Sequence, residues 1–337
     1  VYIGVVGPVR TGKSTFIKRF MEQLVLPNIE NIYERERATD ELPQSGSGRT
    51  IMTAEPKFVP EEAVELRLAE GAAFSVRLVD CVGYMVDSAV GQFEDLSPRM
   101  VMTPWFDHEI PMTEAAEIGT RKVITDHATV GIVVTTDGTI TDIPREDYRE
   151  AEERVIRELQ DIGKPFVVLV NSAQPEDPRA AAAAAEIQTR YGVTCRCVNC
   201  LTLTEEDIGD ILRDLLYQFP LRELDVFLPE WVDALPGEHP IRSGLYQEIG
   251  EAASQLTRIC ALPPCLAALS QGENIESAAA STIDLGNGVA QVEIRLPRRL
   301  FFETLSQRSG LQVADDGDLM QIIGELAEAK REYDKVA

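Results

Sequence analysis

Cysteine and basic residues are scarce in this chain of 337 residues, and each shortage excludes a class of protein. Six cysteines are too sparse for a disulfide framework in a chain this long, and they fit a reducing cytosol. The 32 basic residues against 56 acidic ones leave a formal net charge of −24, which repels the phosphates of nucleic acid and an anionic bilayer. We therefore expect no nucleic-acid partner, and only indirect contact with a membrane surface.

Long apolar runs and histidines are also few. A membrane-spanning helix needs about 18 consecutive apolar residues, whereas the longest runs here, such as residues 130–136, have the length of a strand. The three histidines, His108, His127 and His239, lie far apart without a nucleophile signature, so we interpret them as structural. Because the chain begins within a strand-like run and not at a methionine, the lack of a signal sequence says little about compartment.

The first part of the chain alternates strand-like with helix-like segments. Predicted strands lie at residues 1–7, 74–80, 130–137 and 166–172, and predicted helices at 14–26, 145–161, 180–191 and 205–219. This order predicts an α/β fold, a mostly parallel sheet with crossover helices. Two strands at 57–68 and 72–80, joined by a turn, predict one antiparallel strand at the sheet edge.

One motif between a predicted strand and a predicted helix points to phosphate binding. Residues 7–14, Gly-Pro-Val-Arg-Thr-Gly-Lys-Ser, match the pattern G-x-x-x-x-G-K-[ST]. In such a loop the backbone amides surround phosphate oxygens, Lys13 supplies a positive charge and the Ser14 hydroxyl can bind Mg²⁺. An unspecialised loop is the alternative, and the flanking strand and helix argue against it. The predicted nucleotide contacts here are Gly7, Arg10, Thr11, Gly12, Lys13, Ser14 and Thr15.

A magnesium-bound triphosphate also needs a carboxylate at the end of a neighbouring strand. Asp80 ends a predicted strand, and residues 80–83, Asp-Cys-Val-Gly, have the D-x-x-G form of switch-type hydrolases, in which the glycine amide can sense the terminal phosphate. A turn residue that merely ends the strand is the alternative for Asp80. Thr50 and Thr53, which precede the edge strand, are candidates for a further magnesium ligand, with ordinary loop hydroxyls as the alternative.

Residues 171–174 bear on which base is bound, and Tyr84 bears on how the attacking water is held. Guanine-specific relatives use N-K-x-D, whose aspartate accepts hydrogen bonds from guanine, whereas residues 171–174 here are Asn-Ser-Ala-Gln. A site without that acceptor favours another base, so we predict ATP, with Asn171 and Ser172 among its contacts. Tyr84 follows Gly83 where many such enzymes carry a water-orienting glutamine. A bound potassium, a partner's side chain or a backbone group could hold the water, and we expect slow turnover.

The remaining sequence patterns indicate a domain boundary and two segments with alternative interpretations, a cysteine cluster and an acidic loop. The rhythm changes near residue 220, and we predict a phosphate-loop ATPase domain at 1–221 and a smaller α+β domain at 222–337. In the first domain, 29–56 is expected to be a long loop and 83–112 an ordered insertion. Cys195, Cys197 and Cys200 raise the alternative of a metal site, but 194–200 alternates like a strand and lacks a fourth ligand. The acidic loop 137–142 is either a nucleotide contact or a solvated turn.

Several longer blocks resemble one family. Arg-Leu-Val-Asp-Cys-Val-Gly-Tyr at 77–84 and Glu-Ala-Ala-Glu-Ile-Gly-Thr-Arg-Lys-Val-Ile at 114–124 are similar to the stage IV sporulation protein A family. The other similar blocks are 7–18, 40–45, 50–53, 55–60 and 135–140, with looser similarity as far as 329–334.

The resemblance implies a mother-cell protein of endospore-forming bacteria that hydrolyses ATP and polymerises into the basement layer of the spore coat. It implies a cytoplasmic location at the outer forespore membrane. The implied partners are further copies of the chain, other coat proteins and a small amphipathic membrane-bound peptide, stage V sporulation protein M. Lys13 and Asp80 match the family's phosphate-loop lysine and magnesium aspartate. Thr53 matches a sensing threonine, although Ala54 stands where a second threonine can follow. Family members continue past this C-terminus with a tail used for localisation and assembly.

Our hypothesis from the sequence is a Mg²⁺-dependent ATPase that couples hydrolysis of ATP to ADP and phosphate with assembly of a scaffold. Two alternatives stay open: a regulatory GTPase, and a scaffold that binds nucleotide without hydrolysing it. The predicted catalytic residues are Lys13, Thr53, Asp80 and Gly83, and the predicted magnesium ligands are Ser14, Thr53 and Asp80.

Overall fold

The computed structural model describes residues 1–43, 56–67, 73–86, 88–89, 93–94, 97–284 and 287–336. The predicted threonine ligands Thr50 and Thr53 lie outside the described residues. The chain divides into two units, residues 1–218 and 219–337.

The first unit alternates strands with helices. Its strands are β1 (Tyr2–Val6), β2 (Lys57–Arg67), β3 (Ala73–Asp80), β4 (Phe93–Glu94), β5 (Ser97–Pro98), β6 (Met100–Thr103), β7 (Phe106–Pro111), β8 (Val130–Thr136), β9 (Phe166–Asn171) and β10 (Cys195–Val198). Its helices are α1 (Lys13–Phe20), α2 (Ile32–Asp40), α3 (Met112–Lys122), α4 (Arg145–Asp161), α5 (Pro178–Tyr191) and α6 (Glu205–Leu216). α1 and α3 each continue into a π-helical turn, Met21–Val25 and Val123–His127.

Six strands form the main sheet, in the order β10-β9-β8-β1-β3-β2. Neighbouring strands are parallel except β2, which pairs antiparallel with β3 at the edge. Every residue of β8 and of β9 is buried, which requires both faces of the sheet centre to be covered. The predicted fold class, a mostly parallel sheet with one antiparallel edge strand, is therefore confirmed.

The segment 29–56 differs from its prediction as one long loop, because residues 32–40 form α2. Asn31 begins this helix by accepting a hydrogen bond from the Tyr33 amide at 3.0 Å. Only Ala38 of the helix is buried, so its sequence has no apolar stripe to reveal it. A helix that is exposed on nearly all sides cannot be recognised from hydrophobic periodicity.

The insertion 83–112 is ordered where the structure describes it. Strands β6 and β7 form an antiparallel hairpin, and α3 begins directly after it. Ile110, Met112 and Ala115 form a small buried cluster at this junction. The insertion thereby fixes the start of α3, a helix that reaches the candidate site.

The second unit has mixed topology. Its strands are β11 (Glu223–Phe227), β12 (Ser277–Asp284) and β13 (Val289–Arg295), and its helices are α7 (Glu230–Asp233), α8 (Pro240–Ser254), α9 (Leu262–Leu269), α10 (Arg298–Ser309) and α11 (Asp316–Val336). β13 is central, parallel to β11 and antiparallel to β12, as expected of an α+β region. The prolines at 263 and 264 lie in the first turn of α9, where a missing N–H costs nothing.

Within the described part of the chain, every helix lacks the combination of length and apolar character that crossing a bilayer requires.

Candidate nucleotide-binding site

Two glycines shape the loop between β1 and α1. Gly7 has φ +140° and a Cβ there would lie 2.2 Å from the Val134 carbonyl oxygen. Gly12 has φ +97° and a Cβ there would lie 2.2 Å from the Asn171 side-chain nitrogen. Larger residues would be strained and would displace a neighbouring strand or loop. The loop therefore runs close to the ends of β8 and β9, and α1 points its N-terminal amides into it.

Lys13 is the first residue of α1 and is only 4% exposed. Its ammonium donates a 2.5 Å hydrogen bond to the Pro8 carbonyl oxygen, which folds the side chain over the loop. Burial lowers the pKa of Lys13, and the nearby Asp80 carboxylate opposes that shift. A buried cation held beside a ring of backbone amides is suited to bind an anion.

Ser14 and Asp80 meet at the same edge of the sheet. The Ser14 hydroxyl donates a 3.0 Å hydrogen bond to Asp80 Oδ2. Asp80 Oδ1 is buried and has no hydrogen-bond partner among the described residues. Burial raises the pKa of this carboxyl, while Lys13 and the Ser14 hydroxyl act in the opposite direction.

This pair of oxygen donors fits a magnesium ion. Mg²⁺ takes oxygen ligands, and it is usually held by one or two protein groups together with water and substrate phosphates. Among the described residues no group of three or more His, Cys, Asp or Glu side chains could enclose a metal ion, the strand that carries Cys195 and Cys197 included. A hydroxyl and a carboxylate with one orphaned oxygen are the donors available at the loop.

Gly83 lies directly against the phosphate-binding loop. Its φ is +97°, and a Cβ would lie 2.2 Å from the Gly7 carbonyl oxygen and 2.5 Å from the Lys13 ammonium. The next residue extends the contact, because the Tyr84 amide donates to Gly7 at 3.2 Å and the Val9 amide donates to the Tyr84 carbonyl at 2.9 Å. Tyr84, the residue after the D-x-x-G segment, thus forms an isolated parallel bridge with Pro8 of the loop.

Tyr84 itself is turned toward helix α4. Its side chain is 1% exposed, and its hydroxyl donates to the Glu158 carboxylate. The Arg154 guanidinium lies over its ring, 4.2 Å from the centroid. Burial and the Glu158 partner raise the pKa of the Tyr84 phenol, so the group stays protonated.

Asn171 is 5% exposed at the end of β9 and connects two loops. Its amide nitrogen donates to the Thr11 carbonyl at 3.0 Å, and its oxygen accepts from the Cys200 amide at 3.0 Å. Ser172 is fully buried, and its hydroxyl accepts from the Gln174 amide at 3.1 Å. Both residues therefore hold the predicted base-side loop in place, and their contact with a base stays a prediction.

The two other predicted contacts lie in the phosphate-binding loop and in the first turn of the helix that follows it. Arg10 has φ +63°, the one non-glycine residue with positive φ among those described, and backbone conformations of this kind are concentrated at functional sites. Thr15 is half-buried in the first turn of α1.

A buried ion pair that the sequence analysis missed lies between α4 and the end of β8, the strand that precedes the acidic loop. Arg145 donates to both carboxylate oxygens of Glu152, with the second bond at 2.8 Å, and Thr135 donates to Glu152 as well. Within the acidic loop, the Thr139 hydroxyl accepts a 3.0 Å hydrogen bond from the Ala173 amide. Thr120, on α3, was also missed and accepts from the Gly83 amide at 3.1 Å. Thr120 and Gly83 are 37 positions apart, so no local pattern links them. Arg145 and Glu152 are only seven positions apart on α4, but they stand among many other charged residues of that helix.

Comparison with protein families identifies the family of the chain. A model described as Stage IV sporulation protein A, ATPase domain, matches residues 1–220, and one described as Stage IV sporulation protein A, middle domain, matches residues 221–337. The chain belongs to the stage IV sporulation protein A family. Its ATPase domain implies nucleotide binding and ATPase activity, and the family gives the chain a role in sporulation.

Individual relatives in this family are similar over the whole chain. Stage IV sporulation protein A of Bacillus subtilis (strain 168) is 45% identical over 337 residues, which cover 100% of this chain and 68% of the relative. The protein of the same name from Bacillus anthracis is 46% identical with the same coverage. That from Clostridioides difficile (strain 630) is 43% identical over 336 residues, again 68% of the relative.

Proposed function

We propose that this chain is a slow, Mg²⁺-dependent ATPase that converts ATP to ADP and phosphate and uses the reaction to assemble a scaffold. The observation that carries the proposal is the meeting of Lys13, Ser14 and Asp80 at one edge of the sheet, within the domain whose family is defined as an ATPase. The orphaned Asp80 oxygen and the buried ammonium are complementary to a cation and to phosphate, respectively.

Each residue has a role in this proposal. The loop amides and Lys13 bind and orient the phosphates, while Ser14 and Asp80 hold the cation, with Thr53 as its third protein ligand. Mg²⁺, when bound, would neutralise charge on the phosphate oxygens. The Gly83 amide contacts the terminal phosphate, since Gly83 lies against Lys13. Because the Tyr84 hydroxyl is held by Glu158, we infer that it does not orient the attacking water.

We propose adenine as the base because residues 171–174 lack the acidic acceptor that guanine recognition uses. Asn171 and Ser172 set the shape of the base-side loop through their contacts with Thr11 and Gln174. Competition between ATP and GTP for binding tests this directly. Preference for GTP would favour the regulatory GTPase.

The biological product of the activity is, in this proposal, a homopolymer that forms the basement layer of the spore coat around the forespore. The chain would act in the mother-cell cytoplasm, at the outer forespore membrane. Its partners would be stage V sporulation protein M and other coat proteins. The net charge of −24 supports contact with the membrane surface through such a peptide and not directly. Residues 1–221 would form the ATPase domain, and 222–337 the domain that serves assembly.

The experiment that tests the proposal compares the chain with a Lys13→Ala variant. Phosphate release is measured under single-turnover conditions, and assembly is followed by sedimentation with ATP and without nucleotide. We expect the variant to lose phosphate release and ATP-dependent assembly, with circular dichroism confirming that it is folded. Equal assembly in all these conditions would contradict the coupling. Assembly that needs ATP without any phosphate release would favour a scaffold that binds nucleotide only.

A further inference from the structure

Thr120 brings a hydroxyl from α3 to the centre of the candidate site. The residue is fully buried, on the helix face that also buries Ala116 and Gly119. Its Oγ1 accepts a 3.1 Å hydrogen bond from the Gly83 amide across 37 positions of sequence. Nothing in the proposed chemistry requires a hydroxyl at this place.

The hydroxyl is used differently from that of a neighbouring threonine in the same region. Thr125 donates to the Arg121 carbonyl four residues earlier at 3.0 Å, the usual arrangement for threonine near a helix. Thr120 instead serves the segment that follows β3. Burial raises the pKa of the Cys81 thiol to about 11, while the Thr120 hydroxyl and the Gly83 amide near its sulfur act in the opposite direction. Cys81, Gly83 and Thr120 thus form one buried polar cluster.

The Gly83 amide carries a single proton, so it makes one strong hydrogen bond at a time. In the proposed function its acceptor is the terminal phosphate of ATP, whereas in this structure its acceptor is Thr120. Gly83 lies between Lys13 and α3, since a Cβ there would lie 2.5 Å from the Lys13 ammonium while its amide donates to Thr120.

We propose that Thr120 is a positioning residue that competes with the terminal phosphate for the Gly83 amide. When phosphate accepts this amide, the segment that begins at Gly83 leaves Thr120, and when phosphate departs, Thr120 recaptures it. The movement reaches Tyr84 through the backbone, and Tyr84 is joined to α4 by Glu158. The inference rests on the proposed function, since it assumes that a nucleotide occupies the loop.

The test measures the ratio of two dissociation constants, for ADP and for a non-hydrolysable ATP analogue, by calorimetry with Mg²⁺. Thr120→Val keeps the side-chain shape and removes the hydroxyl, so the Gly83 amide loses its 3.1 Å oxygen acceptor unless phosphate accepts it. We expect the analogue to bind about tenfold more tightly and ADP to be unaffected, because a buried donor without a partner is unfavourable. Thr120→Ser keeps the hydroxyl and should retain the ratio of the unmodified chain.

Thr125→Val is the matched control, since it removes a threonine hydroxyl nearby without touching Gly83. Thr120→Ala should shift the ratio in the same direction as Thr120→Val, and it replaces that variant if valine prevents folding. Equally weaker binding of both ligands, or an unchanged ratio of dissociation constants in a folded variant, would overturn this inference and leave the proposed function standing. If the unmodified chain bound neither ligand, that result would contradict the proposed function, on which this inference rests.

Discussion

The Ser14 hydroxyl and the Asp80 carboxylate are joined by a 3.0 Å hydrogen bond, although they are separated by 66 positions in the sequence. Parallel pairing of β1 with β3 produces this contact, because Val5 and Asp80 are partners in register and the phosphate-binding loop follows β1. Carboxyl ends of adjacent parallel strands meet at one edge, which is where ligands bind in open α/β sheets. The sheet topology thus assembles the site, and Asp80 is its most informative position.

Replacing Asp80 with asparagine should remove magnesium-dependent hydrolysis while preserving the fold. Asparagine keeps the size of the side chain and can still accept from Ser14, but it loses the negative charge that would bind the cation. We expect phosphate release to fall by about 100-fold or more, with a higher Mg²⁺ concentration needed for half-maximal activity. Asp161→Asn, at the exposed end of α4, is the control and should be active. Undiminished magnesium-dependent turnover in Asp80→Asn would remove Asp80 from the catalytic set.

The same variant should reveal the cost of burying the carboxylate. Burial raises the pKa of Asp80 in the folded chain, so the folded state binds a proton more readily than the unfolded state does. Stability contributed by this group is therefore present at acidic pH and is lost as pH rises through the folded pKa. We expect Asp80→Asn to melt at a higher temperature than the unmodified chain at neutral pH without Mg²⁺. The difference in melting temperature should shrink as pH falls. A difference that stays constant across pH would contradict this prediction.

The strands and the phosphate-binding loop could be predicted because their signals are local. A continuous apolar run identifies β8 and β9, whose residues are buried on both faces, and the loop motif is contiguous in sequence. The helix at 145–161 was predicted with the bounds of α4, since its buried residues recur with helical spacing. Hydrophobic periodicity and contiguous motifs were therefore enough to predict the fold class and part of the candidate site.

Tertiary contacts explain what could not be predicted. Gly83 belongs to the D-x-x-G motif, but its hydrogen bond with Thr120 joins positions 37 apart and forms only after the chain has folded. Arg145 and Glu152 lie on one helix, and nothing in their sequence context distinguishes them from the exposed charges of α4. The direction of the Tyr84 side chain is a further example. Its sequence position suggested a missing glutamine, whereas its buried hydroxyl is bound by a helix 74 positions away. Helix α2 was not predicted because its exposed sequence has no apolar stripe.

Tyr84→Phe separates a structural hydroxyl from a catalytic one. The change removes the hydrogen bond to Glu158 and keeps the ring beneath Arg154, so we expect a loss of about 1 kcal/mol in unfolding free energy. Single-turnover phosphate release should stay within about twofold of the unmodified rate, because the hydroxyl does not face the loop. Glu158→Gln, which changes the other partner of that bond, should behave alike. A large fall in the rate for Tyr84→Phe alone would show that the phenol takes part in the reaction.

The buried pair of Arg145 and Glu152 should matter more for stability than any exposed ion pair on the same helix. Glu152 is 2% exposed and satisfies Arg145 and Thr135 together, so truncating it leaves a guanidinium and a hydroxyl without their acceptor. We expect Glu152→Ala to lower the free energy of unfolding by about 3–5 kcal/mol, measured by chemical denaturation. Glu186→Ala, which breaks the exposed pair with Arg149, should cost about 0–1 kcal/mol. Similar losses in the two variants would show that burial does not distinguish these pairs. A loss confined to Glu152→Ala, with looser ATP binding, would identify this pair as the support of the loop that follows β8.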